Sequence, residues 1–160
     1  MKKLIVTIIT LSLFGCNQTK STENLNTTTM HKEDKQQIET LLQEYKKALN
    51  TSDAQLAQHL YTKDGIFMPT EAPSAIGAES ILKGYEYVFS QIQLNIEFYI
   101  EEIEVEHDMA FAVTSSKGTT LIHATGDTVP EANRELFVFE KVDNNWKIAR
   151  YMFNKTAPKP

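Results

Sequence analysis

The sequence predicts an α+β domain in which helices pack on one face of a curved antiparallel sheet. Three observations predict it. Apolar residues recur at helical spacing between residues 34 and 91, and from Ile92 onward they alternate with period two, interrupted by turn-forming residues. One slip in that alternation, near residue 101, marks a bend in the sheet. Helices early and strands late give the α+β class.

The elements follow in order. Asp34, with Gln37 three residues on, forms a capping box and places a helix start there. Ile38, Leu41, Leu42, Tyr45, Ala48 and Leu49 share one face, and Lys and Glu fill the other. Ser52 and Gln55 repeat the capping signal before a short second helix carrying Leu56, Ala57 and Leu60. Residues 65–69 read as a short strand halted by Pro69, and residues 70–77 as a loop. Ile81, Leu82, Tyr85, Val88 and Phe89 form the stripe of a third helix over residues 78–91. Ile92, Leu94, Ile96, Phe98 and Ile100 then alternate, after which the apolar phase shifts by one to Ile103 and Val105. A one-residue slip exchanges the two faces, so a bulge is expected near Glu101-Glu102. Residues 109–116 and 119–125 are expected as two strands, 126–130 as a connection and 133–142 as a further strand. Asp143-Asn144-Asn145 is a hairpin turn leading into a last strand, 146–154.

The amino end has a different character. Met1-Lys2-Lys3 is followed by Leu4 to Phe14, which carries no charge. That run is too short to cross a bilayer, which takes about 20 apolar residues, and it matches the core of a secretory signal. Leu13-Phe14-Gly15-Cys16 resembles the bacterial lipobox, which implies a signal peptide over residues 1–15 and lipidation of Cys16 as the mature first residue. The alternative is an ordinary cleaved signal beside a chance cysteine. Cys16 is the only Cys, so no internal disulfide and no other thiol nucleophile exist. Residues 16–31 are rich in Ser, Thr, Asn and Lys and are expected to form a flexible tether. Residues 32–156 make one domain and 157–160 a tail. Asn17, where Asp would signal retention, favours the outer membrane by resemblance to enteric lipoproteins. The expected location is the bacterial cell envelope, periplasmic or surface-facing.

Removing residues 1–15 takes away Lys2 and Lys3 and no acid, moving the formal charge from −5 to −7. An acidic body argues against nucleic acid and leaves membrane attachment to the lipid rather than a basic surface. The four histidines, His31, His59, His107 and His123, lack paired spacing, so no metal is expected. No glycine-rich phosphate loop or nucleophile elbow is present, and no cofactor is implied.

Tyr45-Lys46-Lys47-Ala48-Leu49-Asn50, Asp53, Leu60-Tyr61-Thr62-Lys63-Asp64-Gly65, Gly77 opening a helix, and the closing Trp146-Lys147-Ile148 with Arg150, Tyr151 and Asn154 together resemble the nuclear-transport-factor-2-like superfamily. The match is to its SnoaL-like and ketosteroid isomerase-like branch and covers nearly all of residues 34–156. The resemblance implies a cone-shaped, cystatin-like roll: a curved antiparallel sheet packed against three N-terminal helices, with a pocket between them and a homodimer through the outer sheet face. It implies no single reaction, because the branch holds isomerases, cyclases, dehydratases and members that only bind.

Residue by residue, the resemblance places Tyr45 where the isomerases carry a donor to the substrate oxygen. Tyr45 is either that donor or a core aromatic with its hydroxyl satisfied locally. The isomerase base falls at Met68-Pro69, and neither residue can move a proton. Glu71, two residues on, is either a substitute or a solvated loop acid. Glu135 precedes Phe137 as the second isomerase acid does, and alternation puts Glu135, Phe137 and Phe139 on one face. Glu135 is thus either an acid–base group with a raised pKa or half of a structural ion pair. Arg134 and Arg150 are the only arginines among sixteen basic residues, and Arg150 could meet Glu135 or clamp an acidic ligand. Thr114, Ser116, Tyr151 and Asn154 are candidate hydrogen-bonding residues, and Tyr61, Phe67, Met68, Tyr85, Phe98 and Phe137 candidate apolar lining.

Three functions fit. The domain holds a small, largely apolar molecule without converting it. Or it is an isomerase, cyclase or dehydratase using Glu135 and Tyr45. Or it is a dimeric interaction module whose sheet face docks a partner. The missing acid at Met68-Pro69 favours binding.

Overall fold

A computed structural model describes the backbone of residues 19–156 and the side chains of residues 31–156. The expected signal peptide, the lipid-bearing Cys16 and the tail 157–160 lie outside the described residues.

Three helices precede the long strands. Helix α1 (Thr19–Asn50) is one continuous helix of 32 residues. It therefore runs through most of the segment expected as an irregular tether, and Asp34 lies in its middle rather than at its start. Extending a formed helix costs far less than nucleating one, so a run of Thr and Asn continues the helix that the apolar stripe begins. The expected face is the buried one: Ile38, Leu42, Tyr45 and Ala48 are fully enclosed. Asp34, one turn before Ile38, is buried on the same face. It accepts a hydrogen bond from Trp146 Nε1 at 2.9 Å and pairs with Lys141 Nζ.

The short helix α2 (Ala54–His59) is capped by Asp53, whose side chain accepts from Leu56 N at 2.8 Å, and not by Ser52. Ser52 has φ +55° and serves the turn between the helices. Strand β1 (Tyr61–Met68) starts earlier than expected, and the loop after it returns through a two-residue strand β2 (Ala75–Ile76). Helix α3 (Gly77–Gln91) buries Ile81, Tyr85 and Phe89.

Four long strands follow: β3 (Ile92–Glu106), β4 (Met109–Ile122), β5 (Thr128–Val142) and β6 (Asn145–Lys155). The sheet is curved and unclosed, in the order β2-β1-β6-β5-β4-β3. The last strand, β6, thus lies between β1, to which it is parallel, and β5. The bulge falls where the alternation slips, between Ile100 and Glu102. The hairpin turn also stands: Val142 pairs with Asn145, and Asp143 and Asn144 both have positive φ, as a two-residue turn matched to strand twist requires.

Two strand assignments are corrected. Residues 109–116 and 119–125 are not two strands, because β4 runs unbroken through Lys117-Gly118. Gly118 is there because β3 passes close by. A Cβ at that position would sit 2.0 Å from the Asn95 carbonyl oxygen. Similarly, β5 takes in Pro130, which was expected in a connection. Pairing with β6 reaches only Asn133, so one edge of β5 is open at Pro130, where a missing N–H costs nothing.

Candidate functional site

The inner face of the sheet grades from apolar to polar along paired positions of β4 and β5. Ala110 faces Phe139 and Ala112 faces Phe137. Thr114 then faces Glu135, Ser116 faces Asn133 and Gly118 faces Glu131. Alternation carries all of these inward, and Glu131, Asn133 and Glu135 are each buried. The polar half of this ladder, with α1, α3 and the ends of β1 and β6, encloses a cavity of about 110 Å³. Its lining mixes aromatic residues (Tyr45, Phe67, Tyr85, Tyr151 and Phe153) with Ser116, Glu131, Asn133, Glu135 and, at the rim, Lys155. An apolar cavity of about 150 Å³ accepts one benzene, so this one holds about a single small ring unless its walls move.

Glu135 lies in the wall. Its Oε2 accepts from Thr114 Oγ1 at 2.7 Å. Burial pushes its pKa up, and the Ser116 and Thr114 hydroxyls only partly oppose this, while the charge of Glu101 adds to the rise. Glu131 accepts from Thr120 Oγ1 at 2.8 Å and stands 3.6 Å from Lys155 Nζ. Between the two acids, Asn133 donates through Nδ2 to Ser116 Oγ at 3.2 Å. Its Oδ1 is buried and has no hydrogen-bond partner.

The floor is a group of tyrosines. Tyr45 and Tyr85 hydroxyls are 2.5 Å apart, and Tyr61 and Tyr85 hydroxyls 2.8 Å apart. Two bonds among three hydroxyls use two protons and leave one to donate. Burial pushes the pKa of all three, and of Tyr151, upward, so each hydroxyl stays neutral. Aromatic rings pack behind them: Phe137 stacks on Tyr151 at 4.3 Å between centroids and Phe67 on Tyr85 at 4.7 Å.

The structure brings several of the candidate residues together. Tyr45, Phe67, Tyr85, Ser116, Glu135 and Tyr151 line the cavity, and Tyr61 is joined to it through Tyr85. Thr114 supports Glu135 from behind, whereas Phe98 and Phe137, expected as lining, are instead core packed against Tyr45. Others are corrected. Met68 pairs with Met152, and Arg150 with Val138, on the opposite face of the sheet, as does Asn154 with the exposed Arg134. Glu135 therefore meets no arginine: Arg150 donates to the Ala149 carbonyl instead. The bulge at Ala149 sets this phase, since Phe139 pairs with Ile148 and Val138 with Arg150. Glu71 is exposed, and Pro69 occupies the cavity edge where the isomerases carry their base. Sequence reading missed Glu131 and Asn133. Counting back by twos from Glu135 would have found both.

A wider groove of about 510 Å³ runs between α1 and the β5–β6 hairpin. Its polar side chains, Gln37, Thr40, Glu44 and Asn144, face solvent and enclose nothing. Among the described residues no three His, Cys, Asp or Glu side chains come together as metal ligands, and no helix is long and apolar enough to cross a membrane.

Comparison with known proteins gives a consistent picture. The family model of the SnoaL-like domain matches residues 38–154. A ketosteroid isomerase-like protein from Erwinia carotovora atroseptica is 32% identical, with a TM-score of 0.72 over 76% of this chain and 95% of its own. Two more distant structures share the fold alone. One is a nuclear transport factor 2-like superfamily protein from Salmonella enterica serovar Typhimurium, 19% identical, TM-score 0.69, covering 79% of this chain and 93% of its own. The other is an NTF2-like protein with a cystatin-like fold from Novosphingobium aromaticivorans, 17% identical, TM-score 0.66, covering 91% and 94%. No curated protein matches the chain.

Proposed function

The chain belongs to the SnoaL-like domain family, and from that premise we propose that it is a binding domain whose inner cavity holds a small, largely apolar molecule. The observation that carries this reading is the cavity's composition: an aromatic lining with a few buried polar groups on one wall. Catalysis of the ketosteroid isomerase kind would need a proton carrier where Pro69 stands, and no ionisable group is there. Lipidation of Cys16 would hold the domain at the cell envelope.

A second reading keeps one observation in its favour. Glu135 has a raised pKa and shares the cavity with a tyrosine floor that has a proton to donate. That pair would serve an isomerase or dehydratase acting on a very small substrate. A third element concerns the outer sheet face. Met68, Met152, Leu136 and Val113 form a row across four strands, with Val138 and Phe111 beside it. Such a self-complementary apolar strip suits a two-fold homodimer.

Native mass spectrometry of the full chain, purified gently from cells, tests the main reading. A small molecule retained at one per chain, and lost in Glu135→Leu, is the expected result. An empty chain under the same conditions, with no binding from a library of small aromatic compounds, would refute it. Turnover of any bound compound would favour the enzyme.

A further inference from the structure

The proton count along the cavity wall specifies what the ligand must offer. Thr114 spends its hydroxyl proton on Glu135, and Thr120 spends its own on Glu131. Ser116 sits beside the Glu135 carboxylate and steadies its charge. A hydroxyl has one proton, so Ser116 receives rather than gives toward Asn133, whose Nδ2 donates to it. That orients the amide: one Nδ2 proton goes to Ser116, and Oδ1 is left buried with no donor. The threonine protons of the β4–β5 wall are therefore committed, and Asn133 Nδ2 has spent one of its two. What the wall still presents is mainly acceptors: Asn133 Oδ1, which has no partner, and the remaining lone pairs of two carboxylates.

The charge points the same way. Glu131 and Glu135 are both buried, whereas the one cation of the lining, Lys155, is largely exposed at the rim and 3.6 Å from Glu131. Glu131 thus has Lys155 beside it, whereas Glu135 has no ion-pair partner among the described residues and stands beside aromatic rings, which favour cations. A ligand carboxylate would add like charge to this wall, and a ligand carbonyl would leave Asn133 Oδ1 still without a donor.

Building on the binding role proposed above, we infer that the cavity's ligand is a small ring compound bearing a protonated amine, its ring among Phe67, Tyr85 and Tyr151 and its ammonium on Asn133 Oδ1 and Glu135. The ammonium supplies the donor that Asn133 Oδ1 lacks and the positive charge that Glu135 lacks. A carboxylate–ammonium contact in a dry site is the stronger kind of hydrogen bond.

The test is a comparison of four compounds of one size: benzylamine, benzyl alcohol, toluene and benzoate. Each is titrated into ¹⁵N-labelled full chain, with the Asn133 side-chain amide as the local reporter. The expected order is amine, then alcohol, then toluene, with benzoate weakest, and at least about tenfold between amine and toluene. The amine should shift the Asn133 amide, and its advantage should collapse in Glu135→Gln and in Asn133→Leu. Toluene or benzoate binding as well as the amine would overturn the inference and leave an apolar pocket standing. An amine that binds without moving the Asn133 signal, or binds equally well to both variants, would also overturn it. Failure of all four to bind would remove the pocket reading, and the ligand class with it.

Discussion

Replacing Asn133 with leucine should make the domain more stable while weakening the site. In the folded chain Asn133 Oδ1 is buried without a partner, and such a group costs about 1–3 kcal/mol. The substitution removes that cost at nearly constant volume. It also removes the 3.2 Å bond from Nδ2 to Ser116, a loss of about 0.5–1.5 kcal/mol. Leucine adds apolar contact with Phe153 and Ile96, which line the same cavity, at about 25 cal/mol per Å² buried. The net is a gain of about 1–2 kcal/mol. For a domain of this size that is a rise in Tm of about 5 °C. Thermal unfolding followed by circular dichroism reads the shift, and a denaturant titration with unchanged slope shows that the unfolding reaction is the same. A fall in Tm of several degrees would refute the reasoning, because it would mean that Oδ1 has a partner in solution worth keeping.

Further outcomes follow from the same geometry. Asp34→Ala should cost about 3 kcal/mol, since it strips the buried Trp146 N–H and Lys141 of their shared acceptor; a loss under about 1 kcal/mol in the denaturant midpoint would contradict this. For Asp34, burial would raise the pKa, but the bonds from Lys141 and Trp146 outweigh it and leave it lowered. A depressed folded pKa contributes stability above the unfolded value of about 3.9 and loses it as pH falls through the folded one, so the gap to Asp34→Asn should close in strong acid. Glu135 has the opposite sign: raised by burial, it weakens the fold at neutral pH and ceases to do so below the unfolded value of about 4.3. Glu135→Gln should therefore be more stable than the parent at pH 7, with the difference vanishing near pH 4, and a difference independent of pH would count against it. Gly118→Ala would put a methyl group 2.0 Å from the Asn95 carbonyl oxygen. Relief requires parting β3 from β4, and the expected loss is about 3 kcal/mol or more, read as hydrogen-exchange protection lost at Asn95 to Glu97.

The sequence was legible where spacing alone decides. The stripe of α1, the slip at Glu101 and the Asp143-Asn144 turn all appear where periodicity and turn chemistry put them. It misled where a residue's local preference was overruled by its neighbours. Asp34 has the chemistry of a cap, yet Lys141 and Trp146, over a hundred residues away, hold it inside a helix. Gly118 looks like a turn and is a strand residue, because what it answers to is the backbone of β3. At the site, alternation placed Glu135 and Phe137 on the inner face correctly. The phase of β6 could not be read the same way. The bulge at Ala149 turns Arg150 and Asn154 outward, and the slip it leaves, from Trp146 and Ile148 to Tyr151 and Phe153, is masked by the apolar Ala149 and Met152. Glu131 and Asn133 were readable and were passed over because neither looks like core.

The position of β6 has a consequence for how the domain comes into being. The β3–β4–β5 meander can assemble from consecutive hairpins, but β1 has only two-residue β2 for a strand neighbour until β6 slots in beside it. A chain delivered from its amino end, whether by a ribosome or through a narrow pore, cannot join its two halves into one sheet before residues 145–155 arrive. The closing pairs are among the most distant in sequence, Tyr61 with Ile148 and Phe67 with Tyr151, and such pairs form late. Topology itself thus postpones completion of the sheet until its final strand has arrived.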